Sequence, residues 1–272
     1  MIKILINGQT QNSISVLDRG LHYGDGVFET VKVQRGRAML LEQHLQRLRV
    51  GCERLRLPPP ALDVIRDEAH ALIQGEDTAV LKILMTRGAG GRGYRSPVNA
   101  QATRILIRYP FPDYPPERYQ SGVKIHLCTS RLSINPQLAG IKHLNRLEHV
   151  LAANEWQDDS IAEGLMMDPL DNIIEGTMSN VFLVAAGCLV TPDLKNCGVA
   201  GIMRQQVLEL AQDLGISHDI REVKKQELFT AEEVFVTNSV IGVWPVNSIA
   251  QKHVASGSIT QRLMRELGRR EV

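Results

Sequence analysis

The stretch Val27-Phe28-Glu29-Thr30-Val31-Lys32-Val33 alternates apolar and polar residues with a period of two, a pattern that no helix can bury on one face. It specifies a half-buried β-strand. The pattern turns at Gln34-Arg35-Gly36 and resumes at Ala38-Met39-Leu40-Leu41, which predicts a hairpin. Residues 2–6 run apolar into Asn7-Gly8, the strongest short hairpin signal, and predict another. Further strands are predicted at 79–86, 103–109, 123–128, 164–167, 172–175, 180–184, 234–236 and 243–246. Helical patterns lie between them. One covers 42–55, with Leu45, Leu48 and Cys52 on one face, and ends before Pro58-Pro59-Pro60. Others cover 61–73, 144–156, 202–214 and 259–267; in that over 202–214, Met203, Val207, Leu210 and Leu214 fall on one stripe. This order of elements places the chain in the α+β class, with mostly antiparallel or mixed sheets and flanking helices.

Three prolines in Phe111-Pro112-Asp113-Tyr114-Pro115-Pro116-Glu117 cannot continue a helix or a central strand, so a domain boundary is predicted there. It separates a smaller N-terminal α/β domain, 1–113, from a larger C-terminal one, 118–272. A chain of 272 residues is long enough for two cores. Hydrophobic residues at 43% and charged residues at 22% argue against disorder. The formal net charge of +1 gives no global field for nucleic acid or an anionic membrane, so an anionic ligand must be captured locally. No apolar run is long enough to span a bilayer, and the apolar opening is too short for a signal peptide. Cys52, Cys128, Cys188 and Cys197 form no Cys-x-x-Cys pair, and the histidines form no His-x-x-x-His. Buried thiols, a reducing cytoplasm and no metal site are expected.

Gly88-Ala89-Gly90-Gly91-Arg92-Gly93 matches the dinucleotide fingerprint letter for letter and follows a predicted strand. That chemistry requires a helix to start at the glycines, because its N–H groups hold the pyrophosphate. Here Tyr94-Arg95-Ser96-Pro97-Val98-Asn99 follows, and a strand resumes by Thr103, leaving no room for a crossover helix. A Gly-rich connection between antiparallel strands is expected instead, with Arg87, Arg92 and Arg95 on it.

Three stretches carry a chemical signature. The first is Asp18-Arg19-Gly20-Leu21-His22-Tyr23-Gly24-Asp25-Gly26-Val27-Phe28-Glu29, followed by His44-Leu45-Gln46-Arg47-Leu48. The second is Asn135-Pro136-Gln137-Leu138-Ala139-Gly140-Ile141-Lys142-His143-Leu144-Asn145-Arg146-Leu147-Glu148. The third is Glu175-Gly176-Thr177-Met178-Ser179-Asn180-Val181-Phe182, with Gly201-Ile202-Met203-Arg204 downstream. Together they resemble the fold-type IV family of pyridoxal phosphate enzymes, which holds branched-chain and D-amino-acid aminotransferases and aminodeoxychorismate lyases. The resemblance covers nearly the whole chain. It implies a two-domain fold like that of D-amino-acid aminotransferase, with 118–272 as the cofactor-binding domain, and a homodimer.

Lys142 ends the apolar stretch Leu138-Ala139-Gly140-Ile141 and precedes a predicted helix. Alone, such a lysine reads as a solvated charge. Partial desolvation would move its amine toward the neutral form that attacks an aldehyde, and the family's Schiff-base lysine occupies the matching position. The resemblance makes Glu175 the partner of the pyridine nitrogen, where a carboxylate can keep a proton that a neutral side chain cannot. It makes Arg47 the phosphate arginine. Gly201 and Ile202, opening a helix, add N–H donors, and Ser239 takes the phosphate-binding hydroxyl position within Thr237-Asn238-Ser239.

The second stretch and the loop 87–94 resemble the lyases of the family more than its transaminases. That implies β-elimination of 4-amino-4-deoxychorismate to 4-aminobenzoate and pyruvate, with a D-amino-acid or branched-chain aminotransferase as the alternative. Lys142 would be the base. Thr30 and Asn238 match substrate positions of the lyases, so Thr30 is expected at the catalytic centre and Asn238 beside both substrate and cofactor. Arg92 and Tyr94 are expected to hold substrate carboxylates, with Arg87 and Arg95 as alternatives to Arg92.

Overall fold

The computed structural model describes residues 2–270 and divides into two compact units. The first runs to Pro112 and also takes in Ile141–Asn145. Its sheet has the spatial order Gln9–Thr10, Lys3–Ile6, Thr103–Pro110, Thr78–Thr86, Gly26–Gln34, Arg37–Ala38, and every neighbouring pair is antiparallel. Asn7 (φ 50°) and Gly8 (φ 83°) make the tight turn between the first two strands, as their sequence requires. The alternation along Gly26–Gln34 divides its faces: Val27, Glu29, Val31 and Val33 are buried, while Phe28, Thr30 and Lys32 are half-buried on the other side. Helices Leu41–Arg54 and Leu62–Ile73 cover the buried face. Leu45, Leu48, Cys52, Ile65 and Ala69 pack there against Val31, Leu81, Ile83 and Leu106. Each fully buried aliphatic side chain contributes roughly 1.5–3 kcal/mol.

Strands Thr78–Thr86 and Thr103–Pro110 are antiparallel neighbours joined by the Gly-rich loop, with no helix between them. The dinucleotide fingerprint is therefore a hairpin connection. Gly88 has φ 85°, and a Cβ there would come 1.7 Å from the Gln101 carbonyl oxygen. Glycine at this position serves chain geometry.

Residues 141–145, expected within 118–272, group with the first unit for a visible reason. Phe28 N–H donates to the Lys142 carbonyl at 2.9 Å, and Leu144 N–H donates to Gly26 at 3.0 Å. The segment is thus held extended along the start of Gly26–Gln34. The helix expected over 144–156 accordingly begins only at Leu147 and spans Leu147–Ala153.

The second unit comprises Asp113–Gly140 and the chain from Arg146 onward. Its ten-stranded sheet runs His218–Arg221, Cys188–Pro192, Asn180–Ala185, Glu233–Asn238, Gly242–Ile249, Val123–Arg131, Ile161–Met167, Asn172–Gly176, Val223–Lys224, with Lys252–His253 pairing to Gly242–Ile249. Three pairings are parallel, and the sheet is mixed. Trp244, Leu165, Val181, Leu183, Val234 and Val236 form its core, and Phe182 stacks on Phe235 at 5.0 Å. Val207 and Leu210 of helix Ile202–Asp213 and Leu263 and Leu267 of helix Ser258–Arg270 are buried. The chain is α+β. The sequence patterns did not show the strands Cys188–Pro192 and His218–Arg221 or the short helices Arg19–Tyr23 and Glu117–Gln120.

Candidate active site

In the first unit, Lys142 is half-buried with its Nζ 4.4 Å from the centroid of the Phe28 ring. The backbone pairing of 142–144 with Gly26–Gln34 fixes its place against that strand. Thr30, two residues from Phe28, lies on the same face. It stands opposite Lys82 in the register of the sheet, and Lys82 Nζ lies 5.3 Å from the Phe28 ring. Burial pushes the Lys82 pKa down. Sequence reasoning missed this second amine. Its signal was a lone cation in the apolar run Leu81-Lys82-Ile83.

On the opposite face Glu29 is buried and receives three donors. Arg47 Nε donates at 2.7 Å, an Arg47 terminal nitrogen at 2.5 Å, and His44 Nδ1 lies 2.6 Å away. Burial alone would raise the Glu29 pKa, but the Arg47 charge and the hydrogen bonds from Arg47 and His44 hold it at about 2. Two of the three Arg47 nitrogens are thus committed to Glu29. The i, i+3 spacing of His44 and Arg47 on helix Leu41–Arg54 lets both reach one carboxylate.

The Gly-rich loop is braced from below. Asp25 binds both Arg19, at 2.9 Å, and Arg87, at 2.7 and 3.0 Å. Arg87 is only 6% exposed and also donates to the carbonyls of Leu55 and Arg56 at the end of helix Leu41–Arg54. It is an internal strut, which leaves Arg92 and Arg95 as the loop's exposed arginines. Arg19 donates to the carbonyls of Gly93 and Tyr94 at 2.9 and 3.0 Å. Tyr94 is 86% exposed, with its ring edge-on to Tyr23.

In the second unit, Glu175 is 3% exposed, at the end of strand Asn172–Gly176. Its Oε2 accepts from Val199 N–H at 2.8 Å, and its Oε1 lies 3.1 Å from His149 Nε2. The turn that follows is built on buried Glu163, which accepts from the Thr177 hydroxyl at 2.5 Å, Thr177 N–H at 3.0 Å and the Ser179 hydroxyl at 2.7 Å. Helix Ile202–Asp213 begins at Gly201 without a side-chain cap. A Cβ on Gly201 would come 1.9 Å from Asn180 Oδ1, so only glycine fits that approach. Asn238 is occupied locally: its Oδ1 accepts from Val240 and Ile241 N–H at 2.8 and 2.9 Å, and its Nδ2 donates to Met178 at 3.0 Å. Ser239 is half-buried in the turn that Asn238 closes.

Taken unit by unit, these donors each suit one part of a phosphorylated pyridine aldehyde. The first unit offers a half-buried primary amine, Lys142. The second offers a buried carboxylate held at both oxygens, and an uncapped helix start whose first-turn N–H groups lack intrahelical partners. One cluster with metal-ligating side chains, His126, Cys128 and Glu155, escaped the sequence spacing. Glu155 accepts there from Thr129 and Ser130 N–H at 2.6 and 2.7 Å, and burial pushes the Cys128 thiol up to about 12. It ties the segment after helix Leu147–Ala153 to strand Val123–Arg131 and keeps a protonated thiol.

The profile of the Amino-transferase class IV family matches residues 26–249. An aminodeoxychorismate lyase from Vibrio harveyi is 35% identical over 267 residues, covering 96% of this chain and 98% of the relative. The crystal structure of 4-amino-4-deoxychorismate lyase from Pseudomonas aeruginosa superposes with TM-score 0.93 at 46% identity, covering 97% of each chain. A putative branched-chain-amino-acid aminotransferase from Methanocaldococcus jannaschii is 29% identical, covering 96% of this chain and 94% of the relative.

Proposed function

The chain belongs to the amino-transferase class IV family, and on that footing we propose that it is a pyridoxal phosphate-dependent lyase that splits 4-amino-4-deoxychorismate into 4-aminobenzoate and pyruvate. The observation that carries this reading is the end-to-end similarity to lyases at 35% and 46% identity, against 29% for the aminotransferase relative. When bound, pyridoxal phosphate supplies an electron-withdrawing ring that stabilises negative charge on the substrate carbon.

In this reading Lys142 would hold the cofactor at its aldehyde, and the neutral Nζ of Lys142 would take the proton from substrate C4. The electron pair of the C4–H bond would then enter the ring as the C3–O bond breaks, the leaving enolpyruvate would gain a proton at its methylene carbon to become pyruvate, and the ring would become aromatic. Aromatisation supplies the driving force, so the protein's task is orientation. Glu175 holds a proton at the pyridine nitrogen. Arg47, the N–H groups at Gly201 and Ile202, Asn238 and Ser239 serve the cofactor, with Arg47 anchoring its phosphate. Thr30 positions the reacting bond, and Lys82, on its face of the sheet, adds a cation beside it. Arg92 and Tyr94 take the substrate carboxylates from the exposed loop, while Asn238 acts on the substrate by shaping its turn.

Release of pyruvate and 4-aminobenzoate in equal amounts, without any amino acceptor, tests the reading. Transfer of the amino group to a supplied keto acid, without release of pyruvate, would favour an aminotransferase instead. The same reading has the enzyme working as a cytoplasmic homodimer. Four free cysteines suit a reducing compartment, and exposed Leu147, Val150 and Leu151 suit a contact between copies.

A further inference from the structure

His149 lies seven residues after Lys142, on the short helix Leu147–Ala153. Leu147, Val150 and Leu151 of that helix are exposed, whereas Ala152 is buried, so His149 and Ala152 share the inward face at i, i+3 spacing. The His149 side chain is 12% exposed, and its Nε2 stands 3.1 Å from Glu175 Oε1. An ionised carboxylate only accepts, so Nε2 carries the hydrogen, and in the neutral ring Nδ1 carries none. Nδ1 is buried without a hydrogen-bond partner. Burying a ring nitrogen unpaired costs stability, and what the ring provides in exchange is the Nε2 contact. The nearest Arg146 nitrogen is 3.4 Å from the same Nε2, which makes it an adjoining positive charge, since Nε2 has already given its hydrogen to Glu175.

We propose that His149 is the positioning residue of Glu175. With Val199 N–H fixing one carboxylate oxygen, the His149 Nε2–H fixes the other, so the carboxylate is held in one orientation. Removing the ring leaves Oε1 short of a donor. A carboxylate held at one oxygen only can turn away from the pyridine nitrogen it has to face. The proposal rests on the reading that Glu175 serves that nitrogen.

The test compares His149→Ala, His149→Gln and Glu175→Gln in the full chain, with and without pyridoxal 5'-phosphate. In the cofactor-free wild type, the imidazole nitrogen NMR signals of His149 should show hydrogen on Nε2 and should move in Glu175→Gln. In the loaded protein, His149→Ala should lower kcat about tenfold, the effect of one lost hydrogen bond to a charged group. Substrate KM should stay within about twofold. The absorption band of the bound cofactor should shift in the direction of Glu175→Gln, and His149→Gln, with an amide N–H of similar reach, should recover most of both. Wild-type kcat and band in His149→Ala would overturn the proposal. So would a His149→Gln variant as slow as His149→Ala with an equally lowered Tm, which is the mark of a structural role, or hydrogen on Nδ1 in the cofactor-free protein. If borohydride fixes no pyridoxal phosphate on wild-type Lys142, the reading of Glu175 fails first and this proposal with it; a loaded wild type beside an unaffected His149→Ala overturns this proposal alone.

Discussion

Glu29 is ionised against its own burial, and that makes it a reporter of acid stability. Its carboxyl sits at about 2 against an ordinary 4.5, because the opposing cost of burial is exceeded by Arg47 and His44. A depressed folded pKa stabilises the protein above the unfolded value and loses that contribution as pH falls from about 4.5 toward 2. The contribution is on the order of 3 kcal/mol. Wild type should therefore lose Tm steeply across that window, and Glu29→Gln should flatten the loss; parallel profiles in thermal melts would refute the assignment. The same pairing complicates Arg47. Arg47→Ala strands a buried carboxylate at a cost of roughly 3–5 kcal/mol, so its cofactor affinity would report unfolding as well as lost phosphate binding. Arg47→Lys keeps a charge near Glu29 but loses the two-nitrogen grip, and it should weaken cofactor retention roughly tenfold or more while kcat at saturating cofactor changes little. Glu175→Gln should do the reverse. Lys142→Ala should fold normally, fail to fix pyridoxal phosphate on borohydride reduction, and retain at most about a thousandth of the turnover. Wild-type turnover in that variant would remove Lys142 from the mechanism.

Among the elements, the Gly-rich loop separates what spacing reveals from what only three dimensions reveal. The absence of room for a helix between residues 93 and 103 was enough to reject a dinucleotide site, and the two flanking strands are indeed antiparallel. The division of labour among its arginines was not legible, because Arg87 meets Asp25 62 residues away and the helix end at Leu55 32 residues away. Arg87→Met should therefore lower stability by roughly 1.5–3 kcal/mol, since it leaves half-buried Asp25 with Arg19 as its one charged partner. Arg92→Ala should leave Tm unchanged and raise the apparent substrate KM several-fold. Equal effects of the two substitutions on Tm and KM would contradict this division. The stretch around Lys142 shows the same limit from another side. Motif residues Lys142 and Glu175 were readable as chemistry, but the helix after Lys142 starts at Leu147 because 142–144 pair with Gly26–Gln34. No local propensity encodes that pairing. Lys82 and His149 were missed for the same reason: register across the sheet sets one opposite Thr30, and packing brings the other to Glu175.

Across the whole molecule, each unit buries apolar clusters yet leaves large apolar side chains outside them. In the second unit, Leu147 is 78% exposed and Leu151 65% exposed, on a helix of seven residues. A helix that short has little intrinsic stability in water and depends on what it packs against. Besides His149, Ala152 and the Glu148 contact with Ser133, the helix has little to hold it in a monomer, and its leucines stay exposed. In the first unit, Val16, Leu17 and Leu21 are also exposed, around the short helix Arg19–Tyr23. Stable interfaces bury about 1,200–2,000 Å² in total, and most soluble oligomers close by two-fold symmetry. A dimer is the expected state. Light scattering after size exclusion should give twice the 30.3 kDa chain mass. Placing carboxylates on the apolar surface, in a Leu147→Glu, Leu151→Glu double variant, should shift the mass toward one chain while the far-ultraviolet circular dichroism stays that of a folded protein. A wild type that elutes and scatters as a monomer at micromolar concentration would leave those leucines without an occupant and refute the dimer; a double variant that remains dimeric would move the interface away from this helix.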